Sequence, residues 1–188
     1  MSRRLSLCAK GIFGLFCARI SRLWVPMRQV IAIFLQNEAG ALGRVTNLFA
    51  TRGYNIESLA VAPTPDPTVS RLTLVTTGDD DVIGQVISQL GKLLDVIEVI
   101  DLSQEADTEL EMLLISLSVA PESFSALQAR IIKDGGRVLS TSETGLVATL
   151  TAHPNVIDVC IDRWLANANL LDLARSGVLA LTNHAAKR

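Results

Sequence analysis

The chain has 188 residues, 49% of them apolar and 19% charged. This excludes a disordered polymer and leaves material for one ordinary domain or two of roughly 75 residues each. A net charge of −2 gives no general attraction for nucleic acid, and three scattered cysteines (Cys8, Cys17, Cys160) exclude a disulfide scaffold or cysteine zinc cluster.

The charge is unevenly distributed. Residues 1–37 hold six basic residues and no acid, while residues 38–188 hold the other 11 basic residues and all 19 acids, a net of −8. The first 26 residues are basic and contain a short apolar stretch, 11–18. Three readings of them compete: a signal peptide with too short an apolar core, a transit-like or membrane-surface amphipathic helix, and an upstream extension before a start at Met27. In each reading, residues 1–26 are an extension outside the fold. No apolar run approaches the ~20 residues of a transmembrane helix, so no membrane span is expected.

From residue 27 the chain alternates strands and helices. Residues 29–36 are an apolar, β-branched run, a strand buried on both faces. Leu42, Val45, Leu48 and Phe49 then recur at helical spacing, and Gly53 ends that helix. Residues 55–62 and 68–77 form a hairpin around the proline-rich turn 63–67. Asp79, Asp80 and Asp81 suit an N-cap and first helical turn better than a metal cluster. Val82, Ile83, Val86, Ile87, Leu90 and Leu94 make the apolar face of the helix that follows, and 95–102 a fourth strand. The order is βαββαβ, a ferredoxin-like unit over 27–102.

A polar link, 103–109, precedes a looser second copy over 110–182, followed by a tail, 183–188. This copy has a strand at 111–119, a helix after Pro121, a hairpin over 137–142 and 145–151, a helix after Pro154, and a strand or strand pair over 169–181. The fold class is therefore α+β, with two ferredoxin-like βαββαβ domains. Such a unit lays both helices on one face of its sheet. Here the first sheet is apolar on both faces, so its free face should be covered by another subunit or domain. A dimer is the expected arrangement.

No catalytic arrangement stands out. There is no nucleophile elbow, P-loop or dinucleotide fingerprint, and no metal-ligand spacing. His153, before Pro154, reads as a surface turn residue, and Cys160 as a core thiol. RNA-recognition modules share the strand order, but they need aromatics on the sheet and a basic surface. Aromatics are only 4% here.

The informative segment is 35–42, Leu-Gln-Asn-Glu-Ala-Gly-Ala-Leu. A small glycine-containing turn opens a helix whose first amides lack partners, which suits a carboxylate. Gly40 lets a ligand approach the backbone, and Asn37 offers both a donor and an acceptor. Asn55 can offer the same from a neighbouring chain if sheets pair. Ala41, Leu42 and Ile56 supply apolar lining. A free amino acid with a short branched side chain fits such a site, although the same residues would also serve as a plain helix cap and turn.

The runs Asn37-Glu38-Ala39-Gly40-Ala41-Leu42 and 52–59 (RGYNIESL), with the hairpin 61–71 (VAPTPDPTVSR), resemble the small, regulatory subunit of acetolactate (acetohydroxyacid) synthase and its ACT domain. The second half resembles that family's C-terminal domain, most clearly at Ala174-Arg175-Ser176-Gly177. Met27 resembles the family's usual start. The stretch Thr108-Glu109-Leu110-Glu111 departs from the Arg-Glu pair usual before the second domain.

The resemblance implies a cytoplasmic, non-catalytic chain with no cofactor of its own. Its partner would be a large catalytic subunit carrying thiamine diphosphate, Mg and FAD. It also implies a homodimer through ACT domains, with valine or another branched-chain amino acid bound between them. The implied effector site takes Asn37, Gly40, Ala41 and Leu42 from one chain and Asn55 and Ile56 from the other. Two other classes stay open: a free-standing ACT-type amino-acid sensor without a synthase partner, and a small acylphosphatase-like enzyme. Glu38 in the first loop disfavours the phosphate substrate of the latter.

Overall fold

A computed structural model describes residues 27–78, 80–103 and 108–182. The extension 1–26, Asp79, most of the link (104–107) and the tail 183–188 lie outside the described residues, as do the side chains of 80–82. The expected capping role of Asp79 and the two aspartates after it therefore lies outside them too.

The first half runs β1 (Met27–Gln36), α1 (Ala41–Thr51), β2 (Ile56–Pro63), β3 (Val69–Gly78), α2 (Asp80–Leu90) and β4 (Val96–Asp101). Its antiparallel sheet has the order β2-β3-β1-β4. Period-two alternation splits β1 cleanly. Ile31, Ile33 and Leu35 join Leu72 and Leu74 of β3 under the helices, where Val45, Phe49, Ile83, Val86 and Leu90 close the core. Each large side chain buried there contributes about 1.5–3 kcal/mol of transfer free energy. Leu94 is a correction. The helix stops at Leu90, a turn begins at Gly91, and Leu94 is 93% exposed. The spacing from Leu90 to Leu94 imitates a further helical turn that glycine does not continue.

The second half runs β5 (Thr108–Ser118), α3 (Pro121–Lys133), β6 (Arg137–Thr141), β7 (Gly145–Ala152), α4 (Pro154–Leu165), β8 (Asn169–Arg175) and β9 (Leu179–Leu181). Its sheet order is β6-β7-β5-β8, with β9 also paired to β5. Leu113, Ile115 and Leu117 pack beneath α3 and α4 with Leu127, Ile131, Ile157 and Trp164. Cys160 is buried in this core, and burial pushes its thiol pKa up, as expected of an inert core thiol. His153 is more than a turn residue. It is the N-cap of α4, and its Nδ1 accepts the Asn155 N–H at 3.3 Å.

The terminal strand pair divides its work. β8 pairs with residues 113–118 of β5, while β9 pairs with Thr108, Glu109 and Leu110. β5 thus starts three residues before the expected strand, because its first partners lie some seventy residues later. The free face of the first sheet is covered in part by this same chain. Val178 and Ala180 pack on Val30, Ala32, Val75 and Leu102.

Candidate effector site

The chain leaves β1 at Gln36 and reaches α1 through a short loop. Gln36 N–H donates to the Asp95 carbonyl at 2.8 Å and Asn37 N–H to the Thr68 carbonyl at 2.7 Å. The Asn37 side chain donates through Nδ2 to the Pro67 carbonyl at 3.0 Å, fastening the loop to the β2–β3 turn. Asn37 is exposed, and its side-chain oxygen is a further acceptor. Gly40 is the N-cap of α1 at φ 89°, left-handed backbone that favours glycine, and no side chain caps the helix. Ala41 N–H donates to the Glu38 carbonyl at 3.2 Å. The amides of Leu42 and Gly43, in the first helical turn, have no intrahelical acceptor and suit an anion.

Each expected site residue has a definite place. Asn37, Gly40 and Leu42 lie at the surface of this loop and first turn. Ala41 sits beside them, but its methyl belongs to the core, so only its backbone is available there. Asn55 is exposed at the start of β2, its carbonyl accepting the Thr76 hydroxyl at 2.7 Å, and Ile56 is half-buried on the first core. These two sit far from the loop within one chain. Ile56 pairs with Thr76, opposite Gln29, whereas the loop follows Gln36. Seven residues of strand separate the two levels, about 23 Å. One small ligand therefore cannot touch both groups in a single chain.

The sequence reading missed Arg44 and Asp95. Arg44 donates through Nε and Nη2 to the Asp95 carboxylate, the second bond at 2.8 Å, and Asp95 is only 6% exposed. The guanidinium beside it holds the Asp95 carboxyl below the usual carboxylate range, against the opposing effect of burial. Arg44 Nη1 also lies 3.2 Å from where a Cβ on Gly40 would stand. The absent side chain of Gly40 thus makes room for this brace as well as for a ligand. One signal was in the sequence: a cation near a helix N-terminus opposes the helix dipole and calls for a specific anionic partner. Ile97, exposed in a bulge of β4, was also missed. It lines a cavity of about 490 Å³ with Asn37, Glu38, Pro67, Thr68 and Val69.

A family model described as the AHAS small subunit-like ACT domain matches residues 31–98. Over 156 residues the chain is 38% identical to the acetolactate synthase isozyme 3 small subunit of Salmonella typhimurium, covering 83% of this chain and 96% of that one. The chain belongs to the acetolactate synthase small-subunit family. A probable acetolactate synthase small subunit of Archaeoglobus fulgidus is 34% identical over 155 residues, covering 82% and 96%. The crystal structure of the acetolactate synthase small subunit from Thermotoga maritima matches with a TM-score of 0.75 at 27% identity, covering 83% and 97%. The two ferredoxin-like halves are thus the fold of this family. Membership gives the chain a regulatory-subunit role in branched-chain amino acid synthesis and implies a catalytic large-subunit partner. No helix among the described residues is long and apolar enough to cross a membrane.

Proposed function

We propose that this small subunit binds valine or a related branched-chain amino acid between the ACT domains of two copies, activates the catalytic large subunit, and makes it subject to feedback inhibition. Thiamine diphosphate, Mg and FAD belong in this reading to the large subunit, which forms acetolactate in the cytoplasm. The chain itself performs no chemistry.

The observation that carries the reading is the loop at Gly40, with its open amides, set within a chain that aligns with acetolactate synthase small subunits over both halves. The sheet register supports a shared site. β2 is an edge strand with its outer side unpaired among the described residues. In a two-fold antiparallel β2–β2 pairing that sets Ile56 of one copy beside Pro63 of the other, Pro63 is level with Ser70 and hence with Leu35. Asn55 of one copy then comes to the level of Asn37 of the other. The effector carboxylate would sit on the amides of Leu42 and Gly43, and its ammonium on Asn37 Oδ1 or the partner copy's amide oxygen. Its side chain would lie against Leu42 and the other copy's Ile56.

Equilibrium dialysis of labelled valine, leucine and isoleucine against the full chain tests the site. Saturable binding at two equivalent sites per two chains, weakened at least tenfold by Asn37→Ala, is expected. Unchanged binding in that variant would remove Asn37 from the site.

A further inference from the structure

The Ala174-Arg175-Ser176-Gly177 segment, unexplained by the effector site, lies where the two halves meet. Gly177 has φ 79° and turns the chain between β8 and β9. A Cβ on it would stand 3.0 Å from Ser58 Oγ and 3.2 Å from the Leu59 carbonyl oxygen, so this backbone presses directly on β2. The next amide, Val178 N–H, donates to Ser58 Oγ at 2.9 Å. The halves also meet where Arg71 donates to the Ala180 carbonyl at 2.7 Å and Arg28 pairs with Glu109 at 2.7 Å. A cavity of about 830 Å³ opens on the side of Ala60, Ala62 and Leu179, and another of about 520 Å³ on the side of Arg28, Glu57 and Asp158.

Both ends of this contact lead somewhere. Ser58 stands two residues from Ile56, across a bulge at Glu57 that shifts the β2–β3 register. The Glu57 carboxylate accepts the Thr77 hydroxyl there. On the other side, Ser176 Oγ accepts Met112 N–H at 3.0 Å, and Ser176 N–H donates to the Met112 carbonyl at 3.0 Å. Arg175 grips Glu111 with two bonds, at 3.0 and 2.5 Å, and Asp158 of α4 at 2.6 Å. A shift of Gly177 is therefore passed to the central strand of the second sheet and to a helix above it. β2 is well suited to deliver such a shift, being an edge strand held by one neighbour.

We propose that the Ser58–Gly177–Val178 contact is the joint that carries effector occupancy at Asn55 and Ile56 into the C-terminal half, with Ser58 and Gly177 acting as positioning residues. This rests on the proposed effector site. It requires two arrangements of β2, with and without effector, each favouring a different seating of Gly177.

Ser58→Ala and Gly177→Ala, in the full chain assembled with the large subunit, test the joint. Valine binding and valine inhibition are measured on the same preparations. The expected result is a split: the dissociation constant for valine stays within about threefold of wild type, while the maximal inhibition at saturating valine falls to less than about half that of wild type. Ser58→Ala removes one acceptor on a half-buried residue, so its folding is the safer of the two. Wild-type inhibition in Ser58→Ala would overturn the joint. Equal loss of binding and inhibition would also overturn it, making the contact purely structural. A wild-type chain that binds no branched-chain amino acid would overturn the effector site itself, and the joint with it.

Discussion

The two sheets carry the same layer of helices but differ in what lies behind them. Behind the first, Val30, Ala32 and Val75 are buried by Val178 and Ala180, which arrive from the far end of the chain. Behind the second, Met112 and Leu114 alternate with the core-facing leucines of β5 and remain half-exposed. A ferredoxin-like unit leaves one sheet face bare, and an apolar bare face needs a cover. Here the cover for the first half is cut from the second. The consequence is mechanical as well as energetic, because the strand that seals the first sheet continues from the strand that completes the second.

This difference can be broken on purpose. The largest effect is expected for Ala180→Asp, which puts an unpaired charge into the covered face. Urea unfolding should show a loss of about 3 kcal/mol or more. The matching change on the open face, Met112→Thr, should cost no more than about 1 kcal/mol. Similar losses in both would mean that the second face is also covered.

Next in size is Gly40→Asp. Aspartate would be strained at φ 89°, and its Cβ would meet the Arg44 guanidinium. Loss of valine inhibition at concentrations tenfold above those that inhibit wild type is expected, with activation retained. An acetolactate assay titrated with valine reads this directly.

The smallest effect is a pH dependence shared by the two halves. Burial raises the Asp134 carboxyl, but the Trp164 Nε1 donor at 2.9 Å and the Arg163 guanidinium at 2.6 Å outweigh it, leaving a net lowering. Asp95 is lowered by Arg44. The folded chain thus binds fewer protons at these groups than the unfolded chain does. Their stabilisation is full above the ordinary carboxylate range, about pH 4, and is lost as pH falls through the lowered values. Asp134→Asn should flatten this acid dependence for the second half, and Asp95→Asn for the first. Thermal melts between pH 3 and 7 would show whether each slope follows its own carboxylate.

Local physics made most of the fold legible. Period-two runs such as 29–36, the proline-rich turn 63–67 and the Pro-initiated helices α3 and α4 each announce themselves within a dozen residues. Non-local features did not. The start of β5 at Thr108 depends on β9, and the split between β8 and β9 depends on Gly177 resting against β2. The loop 37–42 was readable because a glycine turn before an apolar-periodic helix is a local signal. The Arg44–Asp95 brace spans 51 residues, and no local pattern pairs its ends. The resemblance at 52–59 and 61–71 carried the family, whereas spacing alone favoured a plain helix cap and turn over a ligand site.

The most direct test is acetolactate formation by the large subunit of the same organism, with and without this chain, each with and without valine or a related amino acid. The account predicts strong activation by the chain and its reversal by the effector only when the chain is present. Unchanged activity on adding the chain, with valine still bound to it, would contradict the account and leave a free-standing sensor.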